Sequence, residues 1–170
     1  AITATYNFVN PLTGGAGLVA DGVGPDSGNI IVTTKNHAAS DTQVNVTGIT
    51  EVLNSGHIDV LTNGFIILTE ANGDMRVGDI TSTNDDVTLT APQSILDALN
   101  DSAADVTGVN LTLLAQAGSV GTAANFLEIN SSSPRNGLVD AQAYGGIYLT
   151  ETTGDLRLNL IDSSHGDAAL

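Results

Sequence analysis

"IILTEANGDMRV" at residues 66–77 returns as "IYLTETTGDLRL" at 147–158. The two stretches lie 81 residues apart, and the likeness runs beyond them. Residues 56–89 fall on 137–170 without a gap, and fourteen positions are identical. Among them are Gly64, Glu70, Gly73, Asp74, Arg76 and Asp86, which face Gly145, Glu151, Gly154, Asp155, Arg157 and Asp167. Chance in this composition gives about two or three such matches, so the chain carries an internal repeat.

A second echo has a different spacing. "NVTGI" (45–49) is followed 60 residues later by "DVTGV" (105–109). Shifts of 60 and 81 share a divisor near 20, which points to a unit of about 20 residues, four to each long repeat. A gapped echo between "DVTLTAPQSI" (86–95) and "NLTLLAQAGSV" (110–120) has the same short spacing.

Within a unit, the alternation of apolar and polar residues has period 2. "HIDVLT", "VTLTA", "NLTLLA", "FLEIN" and "IYLTE" read as half-buried strands. Between them stand "ANGD", "STNDD", "QAGS" and "TTGD", whose Gly, Asn, Asp and Ser make turns. The best helical candidate, "QSILDALNDSAAD" (93–105), is rich in Asp, Ser and Asn and reads as an irregular loop or one helical turn. Short strands at a 20-residue period without helices predict an all-β chain, a parallel β-solenoid whose coils stack strand on strand. About eight such coils fit the chain, a rod on the order of 40 Å long at about 4.8 Å per rung. A β-sandwich also uses many short strands, but it needs no internal repeat.

The alternation assigns sides. Ile66, Leu68, Met75 and Val77 are expected inside, with their copies Ile147, Leu149, Leu156 and Leu158. Gly73 and Gly154 are expected at the bend. Glu70 with Arg76, and Glu151 with Arg157, are expected as outward charge pairs of the scaffold, because a catalytic pair is not normally copied into each repeat.

"DVTLTA" (86–91), "GSVGTAANFLEIN" (118–130) and the pair "IYLTETTGDLR" and "IILTEANGDMR" resemble the right-handed β-helix repeats of filamentous-haemagglutinin-like and other large bacterial surface adhesins. The resemblance covers residues 56–170 and is poor over 1–55. It implies export, an extended rod and an adhesive or envelope role at the bacterial cell surface, and it supplies no catalytic residues. The expected organisation is a strand and Gly-rich loop over 1–29, as a cap or divergent coil, followed by solenoid repeats over 30–170.

The totals narrow the partners. The chain has 170 residues, nineteen Asp and Glu, and four cations, Lys35, Arg76, Arg135 and Arg157, for a formal charge of −15. Phosphate binding needs clustered Lys and Arg, so neither nucleic acid nor an anionic membrane surface is an expected partner. No Cys is present, which removes disulfides and thiolate metal sites. No stretch reaches 18 apolar residues in a row, so membrane insertion is not expected.

Each candidate site has a plain structural reading. "GAGLVA" (15–20) fits a dinucleotide fingerprint in spelling, but Pro11 precedes it and "DGVGPDSG" follows, where a strand and a helix are required. His37, His57 and His165 lack metal spacing and read as surface residues. Asp21 with Asp26, and "NDD" at 84–86, are oxygen-rich loops in which Ca²⁺ is the one conceivable cofactor, yet no EF-hand or glycine-rich nonapeptide is present. Asn45, Asn110 and Asn130 head glycosylation triplets of a kind expected by chance in a Thr-rich chain.

The sequence therefore assigns no catalytic, cofactor or metal residue. It predicts a structural or adhesive module, extracellular, that associates with itself or with neighbouring repeats and displays a face to host or matrix glycan or protein. The second long repeat stops at Leu170 inside an expected strand, which fits either a segment of a much longer rod or chains that stack end to end and bury that apolar edge. A glycan- or Ca²⁺-binding module is the alternative reading, and a carbohydrate-active β-helix enzyme the third.

Overall fold

A computed structural model describes residues 2–6, 12–13, 30–34 and 44–49 as strand backbone and residues 56–170 with their side chains. The strands in chain order begin β1 (Ile2–Tyr6), β2 (Leu12–Thr13), β3 (Ile30–Thr34), β4 (Val44–Ile49), β5 (Ile58–Thr62), β6 (Ile66–Glu70), β7 (Met75–Ser82) and β8 (Val87–Ala91). They continue as β9 (Ile95–Asp97), β10 (Val106–Thr107), β11 (Leu111–Ala115), β12 (Leu127–Asn130), β13 (Val139–Ala143), β14 (Ile147–Glu151), β15 (Leu158–Ser163) and β16 (Ala168–Ala169). No helix occurs among the described residues, so none there is long and apolar enough to cross a membrane.

The strands form two parallel sheets. One has seven strands in the order β15-β13-β11-β8-β6-β4-β2. The other has nine, β1-β3-β5-β7-β10-β12-β14-β16, with β9 also paired to β7. Consecutive strands alternate between the two sheets over most of the chain, so the backbone winds round a core with about 21 residues per turn, for about five turns over residues 56–170. This is the predicted β-solenoid. The seven rungs of the first sheet fall short of the eight coils expected, because several coils carry loops that lengthen them.

The register explains the repeat. Ile66 pairs with Val87, Val87 with Leu111, and Leu111 with Val139; Leu68, Leu89, Leu113 and Ala141 form the next column. All eight are fully buried. On the other sheet Ile80, Val106 and Ile129 stack the same way and are also fully buried. One buried residue sits on another of similar size from coil to coil, so the unit can be copied without redesigning the core. The "IILTE" and "IYLTE" strands fall on opposite sheets, β6 on the seven-stranded and β14 on the nine-stranded, so the 81-residue repeat spans three and a half coils and not the four expected. Gly73 and Gly154 adopt φ of 82° and 84° at the bend, a left-handed conformation that favours glycine.

The turns carry a second ladder, made by side chains. Backbone N–H groups of one coil donate to a polar side chain of the coil before it. Ser94 N–H donates to Asp74 Oδ1 (2.9 Å) and Asn110 N–H to Asp86 Oδ1 (3.0 Å), and at the irregularity between β5 and β7 Asp79 N–H donates in the same way to Asp59 Oδ1 (2.9 Å). Leu138 N–H then donates to Asn110 Oδ1, Ser119 N–H to Ser94 Oγ, and Gly146 N–H to Ser119 Oγ. Backbone donors at corners have no strand partner, and each acceptor offsets the cost of leaving one unmade. The abundance of Asp, Asn and Ser in the turns thus has a use beyond solubility.

Two placements correct the sequence reading. Glu70 is buried at the inward-facing end of β6, not displayed. Its Oε1 accepts from Ala71 N–H (2.9 Å) and Asn72 N–H (3.3 Å), capping the turn, and its Oε2 has no partner. Burial pushes the Glu70 carboxyl up to about 7, against the pull of those two N–H groups. Arg76 donates through Nε to Gly56 O (2.9 Å). In the copy, Glu151 reaches back to the previous coil, accepting from Ser131 N–H (2.9 Å) and Ser131 Oγ–H (2.6 Å). The second correction is Leu158, expected inside but 43% exposed.

Candidate cation site and stacking face

Four successive rungs of the nine-stranded sheet differ in continuity. β7 and β14 run without a break. Between them, one coil is split into β9 and β10 by residues 98–105, and the next into Val120 and β12 by residues 121–126. Ile95 pairs with Met75 on one side and Val120 on the other, and Val120 pairs with Ile147. The two inserted loops therefore lie on neighbouring coils at the same place. Asn125 Nδ2–H donates to Asp97 O (3.3 Å) and ties one to the other.

Asp97, Asp105 and Glu128 meet at this split. Asp97 is the last residue of β9, and Asp105 immediately precedes β10. Val106 pairs with Ile129, which puts Glu128 beside Asp105 on the next coil. The backbones of these two exchange bonds, with Asp105 N–H donating to Glu128 O (2.8 Å) and Glu128 N–H donating to Asp105 Oδ2 (2.9 Å). One carboxylate oxygen from each of the three residues lies within 4.8 Å of the others. Asp97 and Asp105 are buried, at 7% and 3% exposure, and Glu128 is half-buried.

The satisfaction of these oxygens is incomplete. Asp97 Oδ1 accepts from Leu99 N–H (2.6 Å) and Asn100 N–H (2.9 Å), holding the start of the loop. Asp97 Oδ2 and Glu128 Oε2 are buried and have no hydrogen-bond partner. Burial raises the Asp105 carboxyl to about 8, with the negative charges of Asp97 and Glu128 adding to it and the Glu128 N–H opposing it. Glu128 is raised as well, first by burial and then by the charges of Asp97 and Asp101. The residues thus offer an oxygen-only donor set, of the kind that suits hard divalent cations and not thiophilic or imidazole-seeking metals.

The sequence reading missed this cluster. It looked for calcium in two other places. Asp21 and Asp26 lie outside the described residues. In "NDD", Asp85 Oδ1 accepts from Asp86 N–H (2.9 Å), and Asp86 Oδ1 accepts from both Asn110 N–H and Asn110 Nδ2–H (3.0 Å each), so both carboxylates serve the turn ladder. "GAGLVA", His37 and Asn45 yield no side-chain geometry, being outside the residues described in full. His57, expected at the surface, is half-buried and lies 3.2 Å from Asp59 Oδ2 through Nε2. His165 stacks on Tyr144 with ring centroids 4.2 Å apart. Asn110 has both ends of its amide engaged, and Asn130 Oδ1 accepts from Ser132 N–H (3.1 Å).

A second feature is the outer face of β15. Leu158 and Leu160 are exposed there, at 43% and 39%. The preceding members of the Leu158 column, Leu111 and Val139, are fully buried. β15 pairs with β13 alone and is the edge of its sheet. The depression between β13 and β15, lined by Asp140, Gln142, Asn159 and Leu160, has a volume of about 190 Å³. That is small beside the roughly 300–1,000 Å³ of small-molecule pockets.

Compared with protein families, curated proteins and solved structures, the chain finds no match.

Proposed function

We propose that the chain is a structural and adhesive β-solenoid module of a bacterial cell-surface protein or extracellular filament, and that it stacks end to end with a second copy. The observation that carries this reading is the exposure of Leu158 in a column whose preceding member, Val139, is fully buried. An apolar side chain at an inward-type position of an edge strand asks for another strand above it. The turn ladder asks for the same thing, since each coil offers acceptors to the N–H groups of its successor. A repeat unit that already accepts copies of itself on both faces needs little alteration to accept one from another molecule, and such a head-to-tail contact propagates instead of closing.

The adhesive part rests on the outward rows. Thr88, Thr112 and Asp140 lie in register on consecutive rungs of the seven-stranded sheet and form a polar stretch of its outward face. With a formal charge of −15, such a face suits neutral glycan or basic protein surfaces.

Sedimentation velocity over a wide concentration range tests the stacking. The expected result is a weight-average sedimentation coefficient that rises with concentration, and a loss of that rise in Leu158→Asp/Leu160→Asp. Wild-type chain that stays monomeric at the highest concentration would sink the proposal.

A further inference from the structure

We propose that Asp97, Asp105 and Glu128 form a Ca²⁺ site that clamps the inserted loops of two neighbouring coils. The carboxylate cluster is the first observation, and the burial of its orphan oxygens is the second. Asp97 is more than nine-tenths buried, and its Oδ2 has no partner. Glu128 is half-buried, but its Oε2 atom is buried and likewise has no partner. A buried carboxylate oxygen left without a donor carries the desolvation cost of a charged acceptor uncompensated. Most such groups in folded proteins are matched by a donor, a water or an ion. Here the strongest charges acting on Asp105 and Glu128 are those of other carboxylates, Asp97 and Asp101 among them. A divalent cation is the ligand that would satisfy the orphan oxygens and cancel the mutual repulsion together.

The chemistry of the donor set favours Ca²⁺ among the hard cations. Oxygens bound to one Ca²⁺ stand 2.3–2.6 Å from it, so two of them lie at most about 5 Å apart. The donor oxygens of this triad fit within 4.8 Å of one another as they stand. Mg²⁺ demands near-octahedral order at about 2.0–2.1 Å and gives up its water reluctantly, so an all-carboxylate protein set suits Ca²⁺ better. Sequence-local calcium loops supply their ligands from one short segment. This set comes from two coils, and one ligand, Asp97, also fixes the start of loop 98–105 through Leu99 and Asn100. Binding there would join the two loops where the strands of both coils are broken.

The inference does not depend on the stacking of chains, and it fails or stands separately. The test uses the whole 170-residue chain, stripped with chelator, titrated calorimetrically with CaCl₂ to about 5 mM, the range of extracellular calcium sites. The expected result is one saturable site, a melting temperature that rises with Ca²⁺, and Mg²⁺ binding at least about tenfold weaker. Asp97→Asn and Glu128→Gln remove charge with little change of shape. Each is expected to weaken Ca²⁺ by about tenfold or more, because affinity follows ligand charge, while folding at least as stably as wild type without the ion. Three results would each overturn the proposal. They are no saturable uptake in wild type, equal uptake in a folded Asp97→Asn/Glu128→Gln chain, and Mg²⁺ binding as tight as Ca²⁺. The second would assign the uptake to the acidic surface at large.

Discussion

Replacing Glu70 by Gln should change how stability depends on pH. Glu70 is buried at the inner end of β6, and its carboxyl is raised to about 7 from an ordinary value of 4.5, chiefly by burial. In the folded chain the proton is therefore held in a pH range where the unfolded chain releases it. Between about 4.5 and 7 unfolding sheds a proton, so stability falls as pH rises through that window and levels off above it. At about 1.4 kcal/mol per pH unit, the gap from 4.5 to about 7 corresponds to a loss of roughly 3 kcal/mol. Asp105, Glu128 and Glu151 are also raised and act in the same direction, so wild type alone does not isolate Glu70. The difference between wild type and Glu70→Gln does, because the other three groups are common to both. Urea midpoints measured from pH 4.5 to 8 supply the curves. The variant is expected to lose about 3 kcal/mol less than wild type over this span. Parallel curves would refute the reasoning, since they would mean that Glu70 ionises as freely in the folded chain as in the unfolded one.

Three further outcomes follow from the packing. Leu89→Ala empties a fully buried position between Leu68 and Leu113 and is expected to cost about 3–5 kcal/mol in chemical denaturation. Gly73→Ala and Gly137→Ala should separate two reasons for glycine. Gly73 sits at φ 82° in open space, so its loss costs about 1 kcal/mol of backbone strain. A Cβ at Gly137 would run into the Val109 carbonyl, so that variant should be the less stable of the two by thermal melting. Asp86→Ala leaves Asn110 N–H and Nδ2–H without their acceptor and should cost about 1 kcal/mol, with faster hydrogen exchange at Asn110 than at Leu113.

The fold was legible because its rules are local and are repeated. Period 2 in "IILTE" and "IYLTE" named the buried column, and the glycine of "NGD" and "TGD" named the bend. The 81-residue echo then showed that one unit must stack on another. Glu70 was misplaced even though the alternation itself placed it: it shares parity with Ile66 and Leu68, and only the expectation that charge faces water sent it outward. Leu158 keeps the parity of Val77 but has no coil above it, and parity carries no information about coverage. The acidic triad was not legible, because Asp97 and Asp105 are brought together by a loop whose closure has no pattern. Glu128 joins them only through the pairing of Val106 with Ile129. One signal was present. Laying "DVTG" (105–108) against "EINS" (128–131) would have put Asp105 on Glu128, and two carboxylates in one column are an unusual thing to stack.

Everything above depends on coils stacked along one axis, and a distance ladder tests that most directly. Ile67, Thr88, Thr112, Asp140 and Leu160 follow one another in register on consecutive rungs. The chain has no cysteine, so pairs of spin labels attach cleanly at introduced cysteines. Electron–electron distances from Ile67 should lengthen by about 4.8 Å with each rung, reaching about 19 Å between backbones at Leu160. Distances that do not grow in that order, as when strands fold back in a sandwich, would contradict the stack and with it the cation site and the stacking face.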